Sequence, residues 1–316
     1  MNFESDSDSV EVILYGGLGN QLFQYAAALS AAIESDLEVR VSLAGETRSF
    51  NSKLPDLLGY QLPLLSKRPL ISRKQSALEK DAIRVLLMIS NSENSSFLIV
   101  KARNLISIFL KRFLKIRTKM LVSTPSGLGF DPDFVCSYSR CSLLGNFHSY
   151  RWISPAAKKI LFDNLKPAEA SSIIEDYVKL AEEEKPTAVH IRLGDYLDIE
   201  ELNIIDRDYF DRALEYLGTI TNNRILWIFT NDEVNFHRYL STNVGYKIRV
   251  IPNSLSPVET LEVMRLCDNH IISNSTFSWW GAFLGLNPAG TVIAPLNWFK
   301  SRKDPKDICP PDWVRL

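Results

Sequence analysis

From residue 188 onward, short apolar runs alternate with longer segments whose apolar residues recur every three or four positions. AVHIRL (188–193), RILWIFT (224–230), HIIS (270–273) and TVIAP (291–295) have strand length and strand composition. DYFDRALEYL (208–217), VETLEVMRLC (258–267) and FSWWGAFLGL (277–286) have helical period. Parallel neighbours cannot be joined by a hairpin, so this alternation predicts a parallel sheet with crossover helices. Ligands of such sheets lie beyond the carboxyl ends of the strands. The residues at those ends are therefore the first place to look for chemistry.

Three strand ends are unusually polar. Alternation along the first puts Val189, Ile191 and Leu193 on one face and His190 and Arg192 on the other, with Gly194, Asp195 and Tyr196 following. A guanidinium at such a place needs either an anionic ligand or a carboxylate such as Asp195 or Asp232. The second strand ends in Thr230, Asn231 and Asp232, which suit a polar ligand and equally suit a helix cap. The third ends in Ser273, Asn274, Ser275 and Thr276, directly before a helix carrying Phe277, Trp279 and Trp280. One cap needs one side chain, and this block offers several at the helix end that favours phosphate. The surplus points to a bound anion. Phe277 and the indoles either wall a ring beside it or pack in the core. A phosphate joined to a polar ring describes a nucleotide.

The first half opens in a similar way. EVILY (11–15) reads as a strand, GGLGNQ (16–21) as a tight turn, and Leu22, Tyr25, Ala26, Leu29 and Ile33 mark a helix with Asn20 as a candidate N-cap. Gly16, Gly17 and Gly19 admit close backbone approach to a ligand, or simply meet a turn that needs positive φ. The spacing is not the dinucleotide GxGxxG, because Gln21 and Leu22 stand where the third glycine would fall. SNSENSS (90–96) reads as a loop, GLGFDPDF (127–134) as a turn, CSLLGNFHSY (141–150) as strand-like, and SPAAKKILFDNLKP (154–167) as a helix opened by Ser154 and Pro155. The boundary between two domains, 10–165 and 166–316, falls near the end of that helix.

Composition narrows the class. With 316 residues, 46% of them hydrophobic, the chain buries enough surface for two domains. A formal charge of −1 excludes a nucleic-acid binder that works by net charge and leaves room for a local basic patch. One exists: between Lys67 and Lys119, 13 Lys and Arg face Glu79, Asp81 and Glu93. Within it, Leu105, Ile108, Phe109, Phe113 and Ile116 form a helical stripe opposite Lys111, Arg112, Lys115 and Lys119. That pattern fits a peripheral membrane contact through 101–119, or a core helix with a solvated basic face. No apolar run reaches twenty residues, and the start MNFESDSDSV is acidic where a secretory signal is basic and then apolar. The expectation is a cytoplasmic protein, with the inner membrane face as its place if the stripe meets lipid. Cys136 and Cys141 with His148, or Cys267 with His270, match no standard zinc spacing and read as buried thiols.

Several blocks together resemble one family, the inverting α-1,2-fucosyltransferases that use GDP-fucose. They are GGLGNQLFQYAAALS (16–30), GFDPDF (129–134), LGNFHSYRW (144–152), VHIRLGDY (189–196), IFTND (228–232), ETLEVMRLCDNHIISNSTFSWWGAFLG (259–285) and APLNWF (294–299). The resemblance implies an α/β, GT-B-like fold, with two Rossmann-like domains facing a cleft. The N-terminal domain would lie on the acceptor side and the C-terminal domain would hold GDP-fucose. It implies no metal and no cofactor beyond that donor, and an oligosaccharide or polysaccharide precursor as acceptor. Family members carry two successive arginines after the histidine; here Arg192 is kept and Leu193 replaces the second.

Carried over residue by residue, Arg192 would neutralise the β-phosphate of departing GDP, with His190 beside it. Asn231 and Asp232 would meet guanosine or ribose, Ser273, Asn274, Ser275 and Thr276 the diphosphate, and Gly17, Asn20 and Gln21 the cleft from the other half. Glu259 would touch the nucleotide, or serve only as first-turn charge in its helix. Asp195 is the candidate base. Two other functions stay open: a metal-dependent transferase using Asp206 and Asp208 (or Asp6 and Asp8) as a DxD pair, and a non-catalytic, membrane-associated nucleotide or carbohydrate binder.

Overall fold

The computed structural model describes residues 9–43, 56–65, 71–72, 78, 81–82, 85, 102, 105–110, 112–113, 120–122, 129–130, 142–193, 205–240, 245–300, 304 and 307–316. Asp195, Cys136, Cys141, the 90–96 loop, most of the 127–134 turn and the Asp6/Asp8 pair lie outside the described residues. The chain forms two compact units, Met1–Lys166 with Pro305–Ile308, and Pro167–Asp304 with Cys309–Leu316. Each is built on its own parallel sheet, so the α/β class with Rossmann-like halves holds.

In the first unit, β1 (Ser9–Leu14) leads through α1 (Leu18–Ser35) to β2 (Glu38–Leu43). With β3 (Ile71–Ser72), β4 (Met120–Val122) and β5 (Ser142–Leu144) they make a sheet ordered β3-β2-β1-β5-β4. Helix α1 buries nearly its whole first four turns, including Ala26, Ala27, Ala28, Ala31 and Ala32, whose small side chains allow close packing. Asp36, in the left-handed region at φ 53, ends it by donating its N–H to the carbonyls of Ala32 and Ile33. Next to it lies α2 (Pro155–Asn164), capped by Ser154, whose Oγ accepts from Ala157 N at 3.2 Å; Ser154 N donates to Ser30 Oγ of α1 at 2.9 Å. The opposite face of the sheet carries Ile13 and Leu144, and packs against Ala82, Leu110 and Phe113 of the cationic stretch.

The second unit runs α3 (Ser172–Glu184), β6 (Thr187–Ile191), α4 (Arg207–Ile220), β7 (Ile225–Thr230), β8 (Lys247–Val250), α5 (Pro257–Arg265), β9 (Asn269–Ile271), α6 (Thr276–Phe283), β10 (Val292–Ala294) and β11 (Val314–Arg315). The order β8-β7-β6-β9-β10-β11 places the first strand of the unit at the centre and the fourth beside it. This is the dinucleotide-fold order, with its switch point between β6 and β9.

Both faces of this sheet are covered, which is why its strands read as almost unbroken apolar runs. Val189, Ile191 and Leu193 pack with Tyr209, Phe210, Ala213 and Leu217 of α4 on one side. Ala188, Trp227 and Phe229 meet Ala181, Val263 and Met264 on the other. The face alternation expected for residues 188–193 is therefore observed, and Leu193 replaces the second arginine at a buried apolar position. Helices α5 and α6 approach closely at Gly281, where an added Cβ would lie 2.3 Å from Met264 Sδ. Trp279 and Trp280 are fully buried; Trp279 stacks on Phe283 at 4.4 Å and meets Trp280 edge-on. The ring-wall alternative for the two indoles is thereby overturned: they face the core, where their large apolar area is most stabilising.

The stripe at 105–113 also turns the other way from a core helix. Ser107 is buried, and Leu110 and Phe113 pack inward, while Leu105 (61%), Ile108 (62%) and Phe109 (69%) are exposed. Ile116, Lys111, Lys115 and Lys119 lie outside the described residues.

Candidate functional site

At the switch point of the second unit, His190 Nδ1 and Ser273 Oγ share a hydrogen bond of 2.7 Å between the ends of β6 and β9. Burial pushes His190 down to about 3, and the charge of Arg192 adds to the shift. The ring is neutral throughout the physiological range, so it orients Ser273 and contributes no charge. Half-buried Arg192 follows β6 directly. Leu193, the next residue, has both backbone groups held by one side chain: its N–H donates to Asn231 Oδ1 at 2.7 Å and its carbonyl accepts from Asn231 Nδ2 at 2.9 Å. Asn231 thus clamps the chain immediately beyond Arg192. Its amide, assigned to the nucleotide from sequence, is engaged in this clamp.

Asp232 is similarly engaged. Its carboxylate accepts from the backbone N–H groups of Val234 and Asn235 at 3.1 and 3.0 Å and from Asn235 Nδ2 at 2.8 Å, and the Asn235 bond chiefly holds its pKa below the usual range. Glu259 closes a capping box with Ser256, accepting from Ser256 N at 2.9 Å, and its other oxygen accepts from Ser171 Oγ at 2.8 Å. The backbone bond of Ser256 is the first cause of its lowered pKa. Glu259 is thus first-turn charge of α5, as one of its two readings has it, and closes the cap as well.

The SNST block resolves into separate tasks. Ser273 meets His190, Asn274 Nδ2 donates to Trp298 O at 3.1 Å, and Ser275 caps α6 by accepting from Phe277 N at 3.3 Å. All three are buried, whereas Thr276 and Phe277 at the first turn of α6 are half-buried. The block is a rigid polar floor that presents a helix N-terminus, with Thr276 as its reachable hydroxyl.

The first unit has its own switch point, between β1 and β5. There Tyr15 Oη donates to Asn146 Oδ1 at 2.8 Å, and His148 Nε2 lies 3.1 Å from Asn20 Oδ1. Asn20 does not cap α1: Gly17 is the N-cap and provides no side-chain bond, leaving Asn20 within the first turn. Gly16, at φ +76, is the residue this turn requires, since a Cβ there would sit 2.6 Å from Asn20 Nδ2. Gln21 is buried and bridges the loop, donating to Gly16 O at 2.6 Å and accepting from Leu57 N at 2.9 Å. Among the described residues, nothing lies within 4 Å of a Cβ on Gly17. His148, pushed down to about 4 by burial, was not among the expected site residues, nor were Tyr15 and Asn146. Polar residues following the CSLLG strand were the available signal.

The rival DxD pair has a structural role. Asp206 caps α4 by accepting from Tyr209 N at 2.9 Å, and Asp208 pairs with Arg212. His270 Nε2 donates to Met264 O at 2.9 Å and Cys267 Sγ to Val263 O at 3.8 Å, and both side chains are buried.

The chain is similar to several known proteins. An α-1,2-colitosyltransferase of Escherichia coli is 27% identical over 96% of this chain and 97% of its own length. The O-antigen biosynthesis glycosyltransferase WbnK of the same organism is 24% identical over 96% and 99%. Among solved structures, the fucosyltransferase NodZ of Bradyrhizobium shows 14% identity at a TM-score of 0.47, over 87% of this chain and 93% of that one. A single family model, described as glycosyl transferase family 11, matches residues 9–316, from the first strand of the first sheet to the end of the second. The chain belongs to glycosyl transferase family 11 and is a glycosyltransferase.

Proposed function

We propose that the chain transfers L-fucose from GDP-fucose to the 2-hydroxyl of a galactoside, with inversion and without a metal. The observation that carries this reading is the site at the β6/β9 switch point: Arg192 beside a neutral, Ser273-bonded His190 and the N-terminus of α6, in a family 11 chain. As the bond from the fucose anomeric carbon to the phosphate oxygen breaks, negative charge grows on GDP. Arg192 and the α6 amides are fixed groups that meet that charge more strongly in the transition state than before it. The acceptor hydroxyl bonds to the opposite face of the carbon and gives its proton to a base, for which Asp195 is the candidate. We assign the acceptor to the first unit, around Tyr15, Asn20 and Asn146.

GDP release from GDP-fucose, measured in excess EDTA with a panel of galactosides, tests the reading. Acceptor-dependent release of an α-1,2-linked product is expected; loss of turnover in EDTA, restored by a divalent cation, would return the metal-dependent rival. GDP binding without turnover on any acceptor would favour a pure binder.

A second donor is favoured by one finding, the 27% identity to an α-1,2-colitosyltransferase. Colitose is fucose lacking its 3-hydroxyl. A site that hydrogen-bonds this hydroxyl rejects the deoxy sugar by about 10⁴-fold, whereas one without that bond takes both within roughly 10²-fold. Parallel assays with GDP-fucose and GDP-colitose separate the two.

His148 serves as a positioning residue in this scheme. By holding Asn20 Oδ1 it leaves the Asn20 NH₂ group turned toward Gly16. His148→Ala is expected to raise the acceptor KM by about tenfold with a smaller change in kcat, and His148→Gln, which keeps an N–H donor, to recover most of it. An unchanged KM in the alanine variant would remove the role.

A further inference from the structure

We propose that the exposed face formed by Leu105, Ile108, Phe109 and Arg112 seats this protein on an anionic lipid surface. Helical spacing places these four residues together, and all are exposed, while Ser107 is buried and Leu110 and Phe113 pack inward on Ile13 and Leu144. The helix is thus anchored by its less apolar side and presents three large apolar side chains outward, a costly arrangement for a surface meeting only water. Ile106, Leu78 and Val85 of the same stretch are exposed as well.

Charge selects the occupant. Residues 67–119 carry 13 Lys and Arg against three acids, whereas the rest of the chain carries 23 Lys and Arg against 34 acids. A second copy docked through the same face would bring two cationic stretches together. A nucleic acid would be repelled by the acidic remainder and has no use for aliphatic side chains. An anionic bilayer satisfies both halves of the pattern: Leu105, Ile108 and Phe109 enter the headgroup boundary, the cations meet lipid phosphates, and the acidic remainder turns the molecule outward. This placement does not rest on the choice of donor.

Sedimentation of the full chain with phosphatidylglycerol–phosphatidylcholine vesicles, and with phosphatidylcholine alone, tests it without any nucleotide sugar present. The protein is expected to pellet only with the anionic vesicles and to be released by high salt. The double variant Ile108→Ser, Phe109→Ser is expected to lose about tenfold or more in vesicle affinity, and Arg112→Glu to weaken it too. Because these side chains are exposed, circular dichroism, melting temperature and turnover of a soluble acceptor should stay as in the wild type. Wild-type protein remaining in the supernatant, equal binding to neutral vesicles, or full binding by the double variant would each overturn the proposal. So would a wild-type dimer that the double variant dissociates, which would identify a second copy as the occupant.

Discussion

Arg192→Ala lowers kcat for sugar transfer by about 10³-fold, equivalent to about 4 kcal/mol, with a much smaller change in donor KM. The reason lies in where charge appears. GDP-fucose already carries its diphosphate charge in the ground state, and the increment on bond cleavage falls on the β-phosphate oxygen. On the proposed reading the Arg192 guanidinium meets this increment, and His190 does not replace it, since burial, with the charge of Arg192 added, holds that ring's pKa down at about 3. Arg192→Lys is expected to recover part of the rate, because a point charge lacks the planar fork that meets two phosphate oxygens. Steady-state kinetics with saturating acceptor read the result. A variant with unchanged kcat would move the burden of the chemistry to the N-terminus of α6 and away from β6.

Glu184→Ala costs about 1–3 kcal/mol of folding stability, chiefly through the buried Trp227 N–H it leaves unpaired. At the end of α3 its side chain is 8% exposed, and it accepts from Trp227 Nε1 at 2.7 Å, Lys247 Nζ at 2.8 Å and Arg249 Nη2 at 2.8 Å. Its removal leaves a buried indole N–H unpaired and two cations from β8 without their shared counterion. Arg249 first, then Lys247 and Trp227, hold the carboxyl down to about 2 from its ordinary 4.5. A depressed carboxylate stabilises the fold above its unfolded pKa, so this contribution is complete above about pH 4.5 and disappears as pH falls through about 2. Urea melts of wild type and Glu184→Gln across that range give the check. The two stabilities should converge in acid, and parallel curves would show that the carboxylate charge has no part in it.

The elements of the second unit were legible because they are local. RILWIFT and VETLEVMRLC announce strand and helix by composition and period, and their alternation leaves a parallel sheet as the consistent arrangement. The N-cap role of Ser154 was legible for the same reason, since donor and acceptor lie three residues apart. KIRV in β8 and VR in β11 are too short to carry a period of their own, and became strands through pairing with β7 and β10.

Partnerships across the sheet were not legible. The sequence showed several hydroxyls and amides before α6, but Ser273 is engaged by His190 from 83 positions away and Asn274 by the Trp298 carbonyl from 24. Counting polar groups predicts a ligand only when their internal partners are known. Asn231, Asp232 and Glu259, expected at the nucleotide, also hold internal bonds: each lies at a strand end or helix start, where an internal cap and a ligand contact call for the same side chain.

By itself, then, the sequence determined the α/β class, the two sheets, and Arg192 with His190 at the end of β6, because period, length and strand-end position are properties of contiguous residues. Tertiary structure decided which polar groups hold the frame, which side of the 105–113 stripe meets solvent, and that His148 sits on Asn20 from 128 positions away. Hydrogen bonding and burial are satisfied between elements distant in the chain, and no local pattern specifies that pairing.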